Sequence, residues 1–479
     1  MRKRTLQLLA LIFIIQSCQE IESKRETVLD NILHIEDSIH YHIDTLPRLC
    51  DVLGMEKQTI DIGDCKLYCE VEGEGIPIVL INGGPGGTHH CFHPWFAQAK
   101  DFCKVIYYDQ RGCGQSDFIK GDDYTFKQAI DDLDKLRQKL GIDKWIVCGY
   151  SYGGALAQYY TASYPDHVFG MILIGSATLL QDDSLNGTRQ YDYISEEEKQ
   201  KINEIYKLYR ENKLDLQQLL LNKELNGDWK RQSFIKPSRE EMIRAAFYEW
   251  VNDKGFNSTM GNSYGRYDFK HVFDHCPIPT LLCEGKWDLT WKEDKALIFK
   301  QNHPNAQFVM FVNSGHTIFC DEPKLFFSTL KEFTTTLKPV SLQEINKWNK
   351  QTSGILNPQE KLFEEEKHFF LFIENNGIEK ASAYYENFKQ QHADEALFSE
   401  SGMNSLAYSY LGKKEYETAI KLFEMNVDSY PDSWNVYDSL GEAYLEMGNK
   451  EKAKENYIKS IELNPDNENG KKVLKELSE

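Results

Sequence analysis

Short apolar runs separated by amphipathic helical stretches constrain the fold of this chain more than any other feature. The runs lie at Lys66–Glu72, Ile76–Ile81, Val105–Tyr108, Trp145–Cys148, Met171–Ile174, Thr280–Cys283 and Phe308–Val312. After Val105 most of them alternate with helical stretches such as Phe126–Leu140 and Ala155–Tyr164. Apolar runs in this alternation indicate parallel strands that are covered on both faces. The pattern predicts an α/β fold with a doubly wound, mostly parallel sheet.

Changes of pattern divide the chain into regions. Strand signals vanish over about 181–275, where helical periodicity predicts a cap inserted into the sheet domain. The sheet domain is predicted over 59–338, after a polar tether or N-terminal extension at 19–58. The region 339–479 is predicted to be entirely helical. A length of 479 residues is consistent with about three domains.

The C-terminal region contains two stretches that align at an offset of 34 residues. The first copy has Leu406, Ala407, Tyr410, Ala419, Phe423 and Pro431, and the second has Leu440, Gly441, Tyr444, Ala453, Tyr457 and Pro465. This period and pattern resemble tetratricopeptide repeats, over about 400–467. Two repeats bury little core, so helices around Phe363–Ile373 and Ile378–Gln391 are expected to complete the stack. The repeats are either a docking groove for a peptide or protein partner or a packing appendage.

The N-terminus has the features of an export signal over residues 1–18. A basic start at Met1–Arg4 precedes an apolar run, Leu6–Ile15, that is too short to span a bilayer. Cys18 ends this run and resembles the lipidated cysteine of a bacterial lipobox, with a plain signal peptide as the alternative. The sequence therefore predicts an exported lipoprotein, anchored to a membrane on the periplasmic or outer-membrane side.

The formal net charge of −19 argues against a nucleic-acid partner, because an acidic chain repels the phosphate backbone. Outside the N-terminal run the chain has no long apolar segment, which excludes a protein with several membrane spans. Cys148 and Cys283 lie in strand-like runs and are predicted to be buried free thiols.

The segment 146–154 contains a Gly-x-Ser-x-Gly-Gly motif between a buried strand and a helix. A nucleophile on such a sharp strand-to-helix turn projects above the edge of the sheet. Its small neighbours at Gly149, Gly153 and Gly154 avoid collisions with nearby backbone. We predict that Ser151 is the nucleophile, with a chance loop serine as the alternative.

A serine nucleophile needs a base and an orienting acid, which follow it in this order in α/β-hydrolases. Asp288 follows the strand Thr280–Cys283, and His316 follows the strand Phe308–Val312. Both positions lie past strand carboxyl ends, where ligands bind in open α/β sheets. His316 is the predicted base and Asp288 the predicted orienter. The alternatives are a loop histidine and a turn carboxylate, with Asp294 as the nearest other acid.

An oxyanion hole needs two backbone N–H groups. One is expected from Tyr152, directly after the nucleophile. The other is expected from the loop after the strand Ile76–Ile81, from Gly84 first and Gly83 second. An ordinary glycine turn is the alternative.

Three motifs carry a resemblance to a known family: Asn82-Gly83-Gly84-Pro85-Gly86, Asp109-Gln110-Arg111-Gly112-Cys113-Gly114-Gln115-Ser116 and Gly149-Tyr150-Ser151-Tyr152-Gly153-Gly154. Together they resemble the proline iminopeptidase family of α/β-hydrolases over roughly 59–338. Asn82 stands where that family usually has His. The resemblance implies a helical cap and release of an N-terminal residue, often proline, through an acyl-enzyme.

In that family, acidic residues of the cap hold the free amine of the substrate. Glu249 is the best local match, although the family's Trp-x-x-Trp-Glu pattern is absent and a solvated helix-face Glu is the alternative. Asp109 and Arg111 are interpreted as a structural ion pair that braces the loops.

The run His89-His90-Cys91-Phe92-His93 is interpreted as a loop bordering the active site, since no second ligand cluster accompanies it. A serine mechanism needs no metal or cofactor, and none is predicted. The expected substrate is a peptide or a small amide or ester. Two other functions stay open, namely a small-molecule esterase or amidase and a repeat-based binding module whose hydrolase site has lapsed.

Overall fold

The computed structural model describes residues 39–118, 124–176, 193–253, 256, 260, 263, 267–289, 300–301, 303–393 and 395–477. Strands of this part of the chain form one sheet in the order β1-β2-β4-β3-β5-β6-β7-β8. They are β1 (Glu56–Asp61), β2 (Lys66–Glu72), β3 (Ile76–Ile81), β4 (Cys103–Tyr108), β5 (Trp145–Tyr150), β6 (Val168–Ile174), β7 (Thr280–Gly285) and β8 (Gln307–Phe311). The pairs β1–β2 and β2–β4 are antiparallel, and all other neighbours are parallel. The predicted α/β fold is confirmed.

The α-helices of the sheet domain and cap are α1 (Leu49–Leu53), α2 (Phe126–Lys139), α3 (Tyr152–Ser163), α4 (Glu196–Arg210), α5 (Leu216–Leu225), α6 (Arg239–Tyr248), α7 (Ile318–Asp321) and α8 (Pro323–Thr336). Those that follow are α9 (Leu342–Asn376), α10 (Ile378–Gln391), α11 (Glu400–Gly412), α12 (Tyr416–Ser429), α13 (Trp434–Glu446), α14 (Lys450–Leu463) and α15 (Glu468–Glu476). Short 3₁₀ turns lie at His89–Phe92, Trp95–Asp101, Pro165–His167 and Asp228–Arg231.

The sheet carries an apolar layer on each face, because successive strand residues point to opposite sides. On β3, Val79 and Ile81 pack with residues of α2 and α3, whereas Ile78 and Leu80 pack with residues of α8. Burial on both faces explains why these strands read as nearly continuous apolar runs. The predicted burial of Cys148 and Cys283 as free thiols is confirmed.

Helices α4, α5 and α6 lie between β6 and β7, within the region predicted as a cap. Each begins at a capping box, at Ser195, Asp215 and Ser238 respectively. In a capping box the first side chain and the third helical residue satisfy each other's backbone N–H groups, which fixes the start of the helix.

Residues 39–48 lie against these cap helices. His40 N donates to Asn222 Oδ1 at 2.7 Å, and Tyr248 Oη donates to Leu46 O at 2.5 Å. The described part of the predicted tether is therefore packed on the protein, and β1 already begins at Glu56.

A single helix, α9, joins the sheet domain to the C-terminal helices. Near its start, the buried Trp348 donates from Nε1 to Val272 O at 2.8 Å. Near its end, Phe369 and Ile373 pack in the core of the C-terminal helices. Helix α10 joins the same core through Tyr385. The two upstream helices therefore complete the repeat stack as predicted.

No helix in the described ranges is long and apolar enough to cross a bilayer. The predicted export signal at 1–18 and its Cys18 lie outside the described residues, as do Asp294 and part of the predicted cap.

Candidate active site

Ser151 occupies a strained turn between β5 and α3. Its backbone has φ 53° and ψ −122°, in a region that residues with a side chain rarely adopt. Ser151 N donates to Ile174 O at 2.9 Å, which ties the turn to the end of the neighbouring strand β6. This strand–turn–helix context is the one that presents a nucleophile above an α/β sheet.

The glycines around Ser151 are required by close backbone contacts. A Cβ on Gly149 would lie 2.2 Å from Gly153 O, and a Cβ on Gly153 would lie 2.1 Å from Ile81 O. Neither clash involves a flexible side chain, so larger residues would displace the turn. The Gly-x-Ser-x-Gly spacing therefore reflects packing of α3 against the ends of β3 and β5.

His316 and Asp288 form a short contact, with His316 Nδ1 2.5 Å from Asp288 Oδ2. Asp288 is 1% exposed, and it lies in the turn after β7, where its N–H donates to Gly285 O at 3.2 Å. A carboxylate on Nδ1 fixes the ring and its tautomer, and Nε2 is then the nitrogen that can exchange a proton. The pair has the geometry of a base and its orienter.

Contacts with β5 and β6 bring His316 to the nucleophile turn. A Cβ on Gly175 would lie 3.0 Å from His316 Nδ1, and Gly175 directly follows the residue that anchors Ser151. The ring of Tyr150, directly before Ser151, has its centroid 5.1 Å from that of His316. Ser151 and His316 line one cavity of about 410 Å³.

The predicted oxyanion loop lies beside the nucleophile. Gly83 and Gly84 line the same cavity, and a Cβ on Gly83 would lie 3.2 Å from Ser151 Cβ. Asn82 Nδ2 donates to Gly83 O at 2.9 Å. Because a trans peptide is planar, this bond turns the Gly84 N–H to the side away from Asn82. The N–H of Tyr152, at the first position of α3, has no acceptor within the helix.

The cap contributes an acidic wall to the cavity, formed by Glu224, Glu241 and Glu249. Burial, together with the negative charges of Glu224 and Glu241, raises the pKa of Glu249 to about 7. Burial likewise raises the pKa of Glu224 to about 7. A cationic ligand would stabilise the ionised form of both carboxylates.

Sequence reasoning identified Glu249 in this wall but missed Glu224 and Glu241. Glu224 lies on α5 beside the buried residues Leu221 and Asn222. In the sequence, the position of Glu224 next to an apolar helix face is all that could have predicted its place in the cavity. This is a weak indication, because charged residues in such positions commonly lie in solvent. Only the packing of the cap over the sheet shows that these residues line the same cavity as Ser151.

The interpretation of Asp109 and Arg111 as an ion pair needs correction. Arg111 pairs with Asp132 and Asp64 instead, its Nη2 lying 2.7 Å from Asp132 Oδ1 and 2.9 Å from Asp64 Oδ2. Asp109 accepts bonds from the N–H of His89 at 2.9 Å and from the N–H of Gln115 at 2.8 Å. Both residues brace loops, but through separate partners.

The histidine run borders the cavity, as the sequence predicted. His90, Cys91 and His93 are among the residues that line it. His89 points away, with Nδ1 2.7 Å from Asp109 Oδ1.

The fold and the cavity define a hydrolase of the α/β class. The alpha/beta hydrolase fold family matches residues 76–323, and the chain belongs to this family. Tetratricopeptide repeats match residues 405–433 and 435–467, which confirms the predicted repeats.

Proline iminopeptidases are among the similar proteins. The one from Saccharolobus solfataricus is 28% identical over 291 residues, covering 56% of this chain and 87% of the relative. The one from Lactobacillus delbrueckii subsp. bulgaricus is 27% identical over 302 residues, covering 59% and 98%. The solved structure of an esterase from Exiguobacterium antarcticum is 22% identical and covers 59% of this chain and 100% of its own, with a TM-score of 0.46.

Proposed function

We propose that the chain is a serine exopeptidase that releases an N-terminal residue through an acyl-enzyme. The observation that carries the proposal is one cavity lined by Ser151 and His316 and also by Glu224 and Glu249. A nucleophile and a base together serve acyl transfer. Carboxylates on another wall of the same cavity are suited to hold a substrate ammonium at a fixed distance from the serine.

In the proposed reaction, Ser151 Oγ attacks the scissile carbonyl while His316 Nε2 takes the hydroxyl proton. Asp288 holds Nδ1 and stabilises the imidazolium that forms. The N–H groups of Gly84 and Tyr152 stabilise the oxyanion. His316 then protonates the leaving amine, and water hydrolyses the acyl-enzyme by the reverse sequence of proton transfers.

The acidic wall of the cavity would select substrates with a free N-terminal amine. A free N-terminal ammonium placed between Glu224 and Glu249 replaces water as the partner of two partly buried carboxylates. A substrate with an acetylated N-terminus supplies no ammonium. Glu224 then keeps its contact with Lys223, whose Nζ lies 3.9 Å from Glu224 Oε1, and Glu249 gains no opposite charge, so its ionised form stays unfavourable. Discrimination between free and blocked N-termini therefore follows from the same contacts that bind substrate.

The first experiment tests for an active serine. A fluorophosphonate probe should label the wild-type protein and should fail to label Ser151→Ala. Absence of labelling in the folded wild type would support the alternative of a repeat-based binding module with a lapsed hydrolase site.

The second experiment tests for exopeptidase specificity. Prolyl and other aminoacyl fluorophore amides are compared with their N-acetylated forms and with p-nitrophenyl esters. Turnover of only the free-amine substrates supports the proposal. Turnover of esters without prolyl-amide activity supports the alternative of a small-molecule esterase or amidase.

Export and lipid anchoring are proposed separately, from the cysteine directly after the N-terminal apolar run. Cells grown with a clickable palmitate analogue should yield a labelled protein in the membrane fraction. Cys18→Ala should abolish the label. An unlabelled wild type in a soluble exported fraction would indicate a plain signal peptide.

A further inference from the structure

Three side chains from distant parts of the sequence meet in a buried cluster that the proposed hydrolysis does not use. They are Cys50 on α1, Glu70 on β2 and His89 at the start of a 3₁₀ turn. One potential ligand atom from each lies within 4.8 Å of the other two. Cys50 and Glu70 are fully buried, and His89 is 3% exposed. We refer to these three residues as the Cys50–Glu70–His89 cluster.

His89 is held so that one ring nitrogen faces this cluster. Its Nδ1 lies 2.7 Å from Asp109 Oδ1, which leaves Nε2 as the nitrogen directed toward Glu70. Nε2 is 3.1 Å from Glu70 Oε1, yet it makes no properly directed hydrogen bond and is buried. A carboxylate on the far nitrogen is the arrangement that orients metal-binding histidines in proteins.

The Glu70 carboxylate is also supported from outside the cluster. Tyr68 Oη donates to Oε1 at 2.6 Å, and His93 Nε2 lies 3.0 Å from Oε2. These contacts fix the orientation of the carboxylate without occupying all of its lone pairs. Two of the three potential ligands therefore have supporting partners that are themselves buried.

The chemistry of the three groups selects the class of ion. A thiolate, an imidazole and a carboxylate are ligands that zinc accepts together, whereas magnesium and calcium prefer oxygen ligands alone. Zinc bonds of about 2.0–2.3 Å in a tetrahedron place neighbouring ligand atoms roughly 3.3–3.8 Å apart. His89 Nε2 is 3.1 Å from Glu70 Oε1, and all three ligand atoms lie within 4.8 Å of one another, so an adjustment of the side chains meets this requirement, with a water molecule as the fourth ligand.

We propose that the Cys50–Glu70–His89 cluster binds one zinc-like divalent ion outside the catalytic machinery. As the metal binds, the S–H bond of Cys50 and the N–H bond at His89 Nε2 both break and the two protons pass to solvent, with no change in any oxidation state. The sequence shows no second ligand cluster near the histidine run. The other two ligands proposed here, Cys50 and Glu70, lie well upstream of that run and are separate from each other in sequence.

The site would fasten the N-terminal segment to the sheet domain. Residues 39–48 run along the cap, Leu49 lines the cavity, and Cys50 follows directly. A metal bond to Cys50 therefore fixes the end of this segment against β2 and the His89 turn. Metal binding should stabilise the folded chain, since the unfolded chain does not hold the three ligands together.

Metal content is the direct test. The full-length protein is stripped with a chelator, incubated with zinc, passed through a desalting column and analysed by mass spectrometry for metal. The wild type should retain about one zinc per chain, and Cys50→Ser should lose it. Cys65→Ser is the matched control, because Cys65 is another buried cysteine of the same region and lies outside the cluster. Cobalt in place of zinc should give the wild type a thiolate charge-transfer band that Cys50→Ser lacks.

A second variant and a second measurement cover the case in which Cys50→Ser fails to fold. His93→Gln leaves all three ligands in place and should weaken zinc binding by roughly 10- to 100-fold, as loss of a supporting contact does. Zinc should raise the thermal midpoint of the stripped wild type. The proposal is overturned if the wild type retains no zinc, if Cys65→Ser loses zinc equally, or if zinc leaves the midpoint unchanged. Activity is not a readout here, so the result is independent of the proposed hydrolysis.

Discussion

Asn82 Nδ2 donates a hydrogen bond of 2.9 Å to the carbonyl oxygen of Gly83. The bond sets the plane of the Gly83–Gly84 peptide, and with it the direction of the Gly84 N–H. Asn82 Oδ1 in turn accepts from Gln110 Nε2 at 3.4 Å, so the amide is itself held in place. The residue that departs from the family motif therefore supports the proposed oxyanion loop rather than disabling it.

Asn82→Ala should lower kcat about tenfold while KM changes little, because the lost bond positions a donor that acts mainly in the transition state. Steady-state kinetics on the best substrate measure both constants. Asn82→His restores the side chain usual in the resembled family and should retain most of the activity. A raised KM with unchanged kcat would place Asn82 in substrate binding instead.

Asp288→Asn should lower kcat by roughly 10³–10⁴-fold, since an amide no longer fixes the tautomer of His316 or stabilises its cation. The chain provides a matched control in the surface pair His271 and Asp274, whose Nδ1–Oδ2 distance is 2.8 Å. Asp274→Asn should leave the rate unchanged. Equal rates for wild type and Asp288→Asn would remove Asp288 from the relay.

The sheet was predictable because its strands are buried on both faces, and burial on both faces leaves a strong apolar signal. The strands Lys66–Glu72 and Ile76–Ile81 have the predicted bounds. The turn at Ser151 was also predictable. Close backbone contacts require glycine at positions 149 and 153, and this leaves a recognisable glycine pattern in the sequence.

The acidic wall and the N-terminal segment were not predictable in the same way. Glu224 reads as an ordinary polar helix residue, and only the three-dimensional placement of α5 directs it toward the cavity. Residues 39–48 bind the cap through Ile39 and Ile43, which pack into two small apolar clusters of the cap helices, and through hydrogen bonds such as that from His40 N to Asn222. Two isolated isoleucines give no helical or strand period that would predict this contact. Hydrogen bonds between distant backbone and side-chain groups leave no periodic pattern.

Glu249→Gln should raise KM for free-amine substrates by roughly 10- to 100-fold, the loss expected for a charge-assisted contact of about 1.5–3 kcal/mol. N-acetylated substrates, where turned over, should be unaffected. Glu240→Gln is the control, because Glu240 lies in the first turn of α6, the helix that Glu249 follows directly, and faces solvent. Equal effects on free and blocked substrates would refute an amine-binding role for Glu249.

The same carboxylate should make stability depend on pH. Burial and the neighbouring carboxylates Glu224 and Glu241 raise the pKa of Glu249 from its ordinary value of 4.5 to about 7 in the folded protein. Between these values the folded state binds more protons, so the free energy of unfolding should fall as pH rises from about 4.5 to 7 and stay low above that. Denaturant titrations should show Glu249→Gln more stable than wild type at pH 8, by roughly 1–2 kcal/mol after allowance for solvent screening, and no more stable at pH 4. An equal gain at both pH values would assign the effect to packing.

The hydrolase domain should need helix α9 in order to fold, although it should fold without the repeats. Ile345, Trp348 and Leu356 of this helix belong to the core that covers one face of the sheet. A chain ended after Lys338 exposes that core and loses the bond from Trp348 to Val272, so it should aggregate or melt well below wild type.

A chain ended after Lys367 keeps these contacts and removes the end of α9, α10 and the repeats, so it should fold and retain hydrolase activity. Thermal melts by circular dichroism and fluorophosphonate labelling compare the two truncations. If both chains fold equally well, α9 packs on the sheet domain without stabilising it. If both fail, the helices after Lys367 are themselves required for the hydrolase domain to fold.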